Sequence, residues 1–367
     1  MDNFFKALSS QFDNKLPFVA YRKPNEALVK GVLQPDDTIH AVTNYSESGF
    51  VFAPFDINKQ IVLIPFEHCI ETLFNEKELV DNSVAVVNNI DDKLQHIQLV
   101  KKGINEIEKT DLNKVVLSRK VECSIEKNTP IDLFKNALRE YTNAFVYLWY
   151  HPQVGCWLGA TPEVLLQTRN NQFKTMALAG TQLYDENITW EPKEQEEQQI
   201  VTDYIAKKLS AKNFSFTISD PYTIKAGSLA HIRSDFSGKI PSTSATEDLQ
   251  KLIHLLHPTP AVCGYPTEIA KDFIVNNESY NRSFYTGFLG ELNISSKRKN
   301  NRRNTENNAY RFITNSSNLY VNLRCMELHE SNANIYVGGG VTASSDAEKE
   351  YIETCNKMNT MKKLIKS

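Results

Sequence analysis

The sequence predicts an α+β fold built on extensive antiparallel sheet. Short β-rich runs recur along the chain, helical periodicities lie between them, and the runs come as neighbours rather than in strict βαβ alternation. No GxGxxG or Walker loop marks a doubly wound nucleotide-binding fold. No Pro/Gly/Ser-rich linker splits the chain, so residues 1–367 are expected to form one large domain.

The strand candidates, in order, are FVAYR (18–22), GFVFAPF (49–55), QIVLIP (60–65), KVVLSRKVEC (114–123), AFVYLWY (144–150), SFYTGFLGEL (283–292), LYVNLRCMEL (319–328) and NIYVGGGV (334–341). All are rich in β-branched and aromatic residues. Helical spacing is read over 92–108, where Leu94, Ile97, Val100, Ile104 and Ile107 recur at threes and fours, and over 131–141, 194–209, 246–256 and 345–366. The last opens on a capping-box pattern, Ser345 with Glu348 three residues on. NISSKRKNNRRNTENNAYRFITNSSN (293–318) is Asn-rich and basic, and is expected to be an exposed insertion looping outward.

Composition removes several classes of function. A net charge of −3 gives no electrostatic support for nucleic-acid or membrane-surface binding. No apolar run approaches the roughly 20 residues of a membrane span. The N-terminal MDNFFKALSSQFDNK carries no basic region followed by an apolar core, so a cytoplasmic location is expected. Six cysteines without a CxxC pattern read as reduced structural thiols, and neither they nor the eight histidines show zinc-ligand spacing.

WEPKEQEEQQIVTDYI (190–205) begins a helix with carboxylates on the side that should be buried. At about 100° per residue, Glu197 falls roughly 60° from Glu194, with Val201, Tyr204 and Ile205 nearby. Glu196, Gln199, Asp203 and Lys207 fall opposite. Buried carboxylates cost several kcal/mol each unless a cation or donors compensate them. A second Glu-x-x-Glu lies in GGGVTASSDAEKEYIETCNKM, where Glu350, Glu353 and Lys357 span about 60° of a helix. Just before it, Gly338, Gly339 and Gly340 let backbone approach an anion closely. Two acidic pairs on separate helices suit a shared hard cation such as Mg²⁺, yet a solvated helix face carries the same spacing. Geometry leaves the two open.

Further segments occur in a fixed order: NKVVLSRK (113–120), LGATPEVLL (158–166), ALAGT (177–181), the KEQEE helix, HIRSDFSG (231–238), HPTPAVCGYP (257–266), YNRSFYTGFLGE (280–291), VNLRCMEL with YVGGGV (321–341) and a terminal E-x-x-E-x-x-x-K. Together they resemble the chorismate-utilising enzymes: the isochorismate, salicylate, anthranilate and aminodeoxychorismate synthases. The resemblance covers 113–360. It implies a single α/β domain with large antiparallel sheets flanked by helices, taking chorismate and Mg²⁺ in a deep cleft.

By that resemblance Glu197 and Glu353 are direct Mg²⁺ ligands, with Glu194 and Glu350 supporting them. Arg324 and Tyr285, helped by Gly338 and Gly339, take the enolpyruvyl carboxylate, and an arginine fork suits such a group. Lys357 lies by the substrate carboxylates. His231, Gly180, Thr181 and Thr259 complete the substrate site. Lys114 is the general base for water and Glu163 the general acid for the departing 4-hydroxyl, which requires burial to keep it protonated. Ammonia-using relatives carry glutamine in place of Lys114, and aminodeoxychorismate synthases carry a lysine nucleophile where this chain has Ala179.

The resemblance therefore implies isochorismate synthase, an isomerase of the hydroxymutase type, feeding menaquinone or siderophore synthesis and acting as a monomer. Salicylate synthase is the alternative, followed by an anthranilate synthase component and a catalytically silent Mg²⁺- or anion-binding relative. Two positions depart from the family pattern: Gln198, where histidine is common, and Gln182, where arginine is common.

Overall fold

The computed structural model describes residues 1–76, 90–227, 229–241, 245–297 and 313–365. Two large sheets form, and their strand pairings are antiparallel. The nine-stranded sheet runs in the order Gly264–Tyr265, Lys114–Ser124, Asn332–Val341, Cys325–Leu328, Gly155–Thr161, Phe145–His151, Phe18–Arg22, Leu28–Leu33, His68–Leu73. The ten-stranded sheet begins Ser215–Ile218, Leu229–Lys239, Gln172–Leu183, Val164–Arg169, Ile313–Val321. It continues through Phe288–Lys297, Gly49–Ala53, Val62–Pro65 and His40–Ala41, and Tyr222–Ala226 pairs with Leu229–Lys239 off this path.

Aromatic side chains from both sheets form one core between them. Phe52 meets Trp149 at 4.7 Å and Phe145 stacks on Tyr320 at 4.1 Å between ring centroids. Rings that each bury a large apolar area hold the sheets face to face. The helices cover the outer faces: α1 (Asp2–Asp13), α2 (Ile90–Lys109), α3 (Pro130–Glu140), α4 (Pro192–Ala211), α5 (Ala245–Leu256), α6 (Thr267–Asn277) and α7 (Ala347–Lys362). α1, α3 and the end of α7 pack on the nine-stranded sheet, and α4 and α5 pack on the other. α2, α6 and the start of α7 gather around Val115, Leu117 and Val341. Among the described residues no helix is long and apolar enough to cross a membrane, and none of the six cysteines forms a disulfide.

The five helices read from periodicity form close to the expected bounds. α1 and α6 were not anticipated: their apolar positions are few, with Phe4, Phe5 and Leu8 buried in one and Ala270, Phe273 and Ile274 in the other. On α2, Ile97 and Val100 are buried as expected, whereas Leu94, one turn into the helix, is 52% exposed. α7 is capped by Asp346, whose carboxylate accepts from the Lys349 amide, and Ser345 instead accepts from the Thr342 amide. The expected strand over 283–292 starts only at Phe288, and that over 319–328 breaks between Val321 and Cys325. Positive φ angles at Ser283, Thr286 and Arg324 mark both interruptions. The ends of the 293–318 segment are paired strand, and the expectation that it loops outward falls on residues outside those described. Phe288–Lys297 and Ile313–Val321 extend into it as a paired hairpin, and its middle, 298–312, lies outside the described residues.

Candidate active site

The site is a cleft partly open to solvent, lined by residues of both sheets together with α4 and α7. The cleft brings together Glu163, Gly180, Thr181, Glu197, His231, Tyr285, Arg324, Gly338, Gly339 and Lys357 from segments far apart in the chain. Apolar Val116, Leu178, Ala179 and Val262 make up much of the remaining wall.

Lys114 stands at the start of its strand, fully buried, with Nζ 2.9 Å from Glu197 Oε1. Burial pushes the Glu197 carboxyl up, but Lys114 and then Lys193 outweigh it and hold the pKa down to about 2. The strand Asn332–Val341 makes room for this pair by carrying glycine. A Cβ on Gly340 would fall 2.2 Å from Glu197 Oε1 and 3.0 Å from Lys114 Cε. A Cβ on Gly338 would meet the Tyr285 hydroxyl at 3.0 Å.

Glu163, at the end of the Gly155–Thr161 strand, is 4% exposed. Burial pushes its pKa up to about 8 against the opposing charges of Lys114, Arg324 and Lys357. It is therefore mostly protonated at neutral pH, as a general acid requires. The same interaction places Lys114, Glu163, Arg324 and Lys357 in one electrostatic neighbourhood.

Arg324 lines the cleft with no carboxylate within ion-pairing distance among the described residues. Burial lowers its pKa to about 10. Its Nη1 donates to the Ala226 carbonyl at 3.0 Å and Nη2 to His231 Nε2 at 2.5 Å. Arginine only donates, so Nε2 accepts and the His231 proton sits on Nδ1. Nδ1 in turn faces the Gly180 carbonyl at 3.0 Å and the Thr181 hydroxyl at 3.2 Å. Burial, with Arg324 and Lys357 nearby, lowers the His231 pKa to about 3 and keeps the ring neutral. This chain aims an uncompensated guanidinium into the cleft, the feature expected of a carboxylate-binding site. Lys357 pairs with Glu353 at 2.6 Å and donates to the Gly338 carbonyl at 2.9 Å.

The two acidic helices do converge. Glu197 and Gln198 are buried on α4 while Glu196, Gln199, Asp203 and Lys207 face solvent, which is the phase the sequence indicates. On α7, Glu350 is 2% exposed. A Cβ on Gly339 would lie 3.4 Å from Glu350 Oε2 and 3.6 Å from Glu353 Oε1. The cation between the helices is one the sequence analysis missed: Lys193 Nζ lies 2.5 Å from Glu350 Oε1. Burial works against its charge, but Glu350, Glu353 and Glu197 raise its pKa above the ordinary value. At 100° per residue, Lys193 falls about 40° from Glu197, so the helical phase carried the signal.

Among the described residues no three His, Cys, Asp or Glu side chains are grouped as around a metal ion. Two features nonetheless fit a hard cation. Glu194 Oε2 and Glu350 Oε2 are buried without a hydrogen-bonding partner. Burial and the neighbouring Glu353 push Glu350 up to about 6 despite Lys193, so a further cation beside it would relieve a carboxylate that burial disfavours. An all-carboxylate donor set of this kind matches Mg²⁺ chemistry.

Of the expected site residues, Lys114, Glu194, Glu350 and Glu353 do not line the cleft but sit behind Gly180, Glu197, Gly339 and Gly340, which do. Thr259 does not line it either. Its carbonyl accepts the amides of Val262 and Cys263, so it shapes the loop that presents Ala261 and Val262 to the wall. Tyr336 and Thr286 line the cleft unanticipated, and Tyr336 stacks on Tyr285 at 5.4 Å. Gln198 donates to the Thr202 and Ser234 hydroxyls, away from the acids.

A family model described as chorismate binding enzyme matches residues 63–299, and a second of the same description matches 310–363. The chain belongs to the chorismate-binding enzymes. It is 26% identical over 285 residues to isochorismate synthase MenF of Escherichia coli (strain K12), covering 75% of this chain and 61% of that protein. It is 28% identical over 283 residues to isochorismate synthase DhbC of Bacillus subtilis (strain 168), covering 71% of this chain and 65% of that protein. The chain thus matches less than two thirds of the length of these curated relatives. The solved structure of MenF, the menaquinone-specific isochorismate synthase of Escherichia coli, superposes with a TM-score of 0.75 at 20% identity, covering 95% of this chain and 89% of that one. The fold of this chorismate-binding enzyme is that of the superposed structure.

Proposed function

We propose that this chain is an isochorismate synthase, adding water at ring carbon 2 of chorismate as the 4-hydroxyl leaves. The observation that supports this most is a protonated buried glutamic acid, Glu163, in the wall of a carboxylate-seeking cleft, with the buried Lys114 behind that wall and paired to Glu197, which lines it. Arg324 receives a substrate carboxylate, with Tyr285 beside it and His231 holding the guanidinium in place. The ring then packs against Leu178, Ala179 and Val262. Lys114 takes a proton from water as the new C2–O bond forms and the ring double bonds shift. Glu163 gives its proton to the 4-hydroxyl as the C4–O bond breaks and water departs. One water enters and one leaves, so the reaction is an isomerisation.

Mg²⁺ would be held by Glu194, Glu197, Glu350 and Glu353, with Lys193 giving up Glu350. When bound, the metal supplies charge neutralisation for a substrate carboxylate. Ala179 offers no amine, which favours water as nucleophile over an enzyme lysine. The product would supply an isochorismate-consuming route of the menaquinone or siderophore type.

Incubation with chorismate and Mg²⁺ followed by product identification tests the reading. Isochorismate is expected, and Lys114→Ala should lose turnover while still binding chorismate. Salicylate with stoichiometric pyruvate would assign salicylate synthase instead. Unaltered chorismate would overturn the enzymatic reading.

A further inference from the structure

The ion pair Glu278–Arg282 lies outside the assigned catalytic set, and its two side chains are 1% and 2% exposed. All five N–H donors of Arg282 are used. Nε donates to Glu278 Oε2 at 2.8 Å, and Nη2 donates to Glu278 Oε1 at 2.5 Å and to the Val116 carbonyl at 2.6 Å. Nη1 donates to the Val262 carbonyl at 2.9 Å and to the Thr286 hydroxyl at 3.4 Å. Glu278 Oε1 also accepts the Ser118 amide and hydroxyl, each at 2.8 Å.

These contacts fall on a strand edge that lacks a neighbour among the described residues. Lys114–Ser124 is paired along one side by Asn332–Val341, but on the other side only Lys114 and Val115 pair, with Gly264–Tyr265. Beyond that point the Val116 amide bonds Cys263, the Val116 carbonyl takes Arg282, and the Ser118 amide takes Glu278. The acid and the guanidinium thus supply the acceptor and donor that a further strand would have supplied. The same arginine grips the 257–263 loop through Val262 and the turn that carries Tyr285 and Thr286. Its guanidinium lies 4.9 Å from the Phe55 ring centroid and 5.9 Å from that of Tyr285. Three walls of the cleft, bearing Val116, Val262 and Tyr285, therefore meet at one planar cation.

We infer that Glu278–Arg282 is a positioning device for the reaction, fixing the strand that begins at Lys114 against the turn that carries Tyr285. The inference rests on the proposed function, and wild-type turnover measured in parallel separates failure of one from failure of the other. Misplacement of reacting groups by about 1 Å costs roughly 100-fold in rate. Arg282→Ala should lower kcat, expressed per folded enzyme from circular dichroism, about 100-fold with KM for chorismate changed less than about threefold. The normalisation is needed because a loss of folded protein alone lowers apparent kcat at unchanged KM. Methylguanidinium, filling the space left by the side chain, should restore kcat, and amide exchange at Val116–Ser118 should rise in the variant and fall again on rescue. Arg282→Lys, without the planar fork, should stay slow. Should Arg282→Ala fail to fold, Glu278→Gln carries the test through the same kcat loss and faster exchange at Ser118. Wild-type kcat in folded Arg282→Ala or in Glu278→Gln, or a loss that methylguanidinium leaves unchanged, would overturn the inference.

Discussion

Glu163→Gln should make the protein more stable at alkaline pH while removing its activity. The Glu163 carboxyl is enclosed, and its pKa rises from the ordinary 4.5 to about 8. A group whose folded pKa lies above its unfolded value contributes stability in full below the unfolded value and loses it as pH rises through the folded one. Each pH unit in that window is worth about 1.4 kcal/mol, so the wild type loses on the order of 3 kcal/mol by pH 7 and about 5 kcal/mol above pH 8. Glutamine has the same shape and does not ionise, so the variant escapes the loss. Urea unfolding of both proteins at several values between about pH 5 and pH 9 measures the difference, provided unfolding is two-state. The variant's advantage should grow steadily up to about pH 8 and then level off. Its kcat should fall by about 10²–10⁴-fold, the usual worth of a general acid. Parallel stability curves would refute the burial argument, because the carboxyl would then ionise alike in folded and unfolded chains.

Glu197→Gln leaves Lys114 buried without its counter-charge, so urea unfolding should show a loss of about 3–5 kcal/mol, and Mg²⁺ titration should show weakened binding. An unchanged metal titration would reject Glu197 as a ligand. Gly340→Ala places a methyl 2.2 Å from Glu197 Oε1. Steady-state kinetics should show a loss of about 100-fold or more, and wild-type kinetics would contradict the placement of the Lys114–Glu197 pair.

The inward phase of Glu194 and Glu197 was legible because a helix repeats every 3.6 residues, and carboxylates on an apolar stripe demand a partner. The partner's identity was not legible from that pattern alone. Lys193, one residue from Glu194, reaches Glu350 only because α4 and α7 meet, and that meeting depends on sheets assembled from distant strands. Lys114, Glu163 and Arg324 were found through ordered motifs. Periodicity would have left them as a strand lysine, a loop glutamate and a strand arginine. Arg282 lies within YNRSFYTGFLGE with no role legible there, since its work lies in backbone carbonyls that a sequence does not display. Leu94 and the ends of the 293–318 insertion show the opposite error: local composition favoured burial in one and a loop in the other, and tertiary pairing decided otherwise.

Turnover of chorismate in ¹⁸O-labelled water tests the central claim most directly, with mass spectrometry of the product. Attack by solvent at ring carbon 2 predicts isochorismate carrying one ¹⁸O in its new hydroxyl. Isochorismate formed without the label would contradict water addition assisted by Lys114 and Glu163.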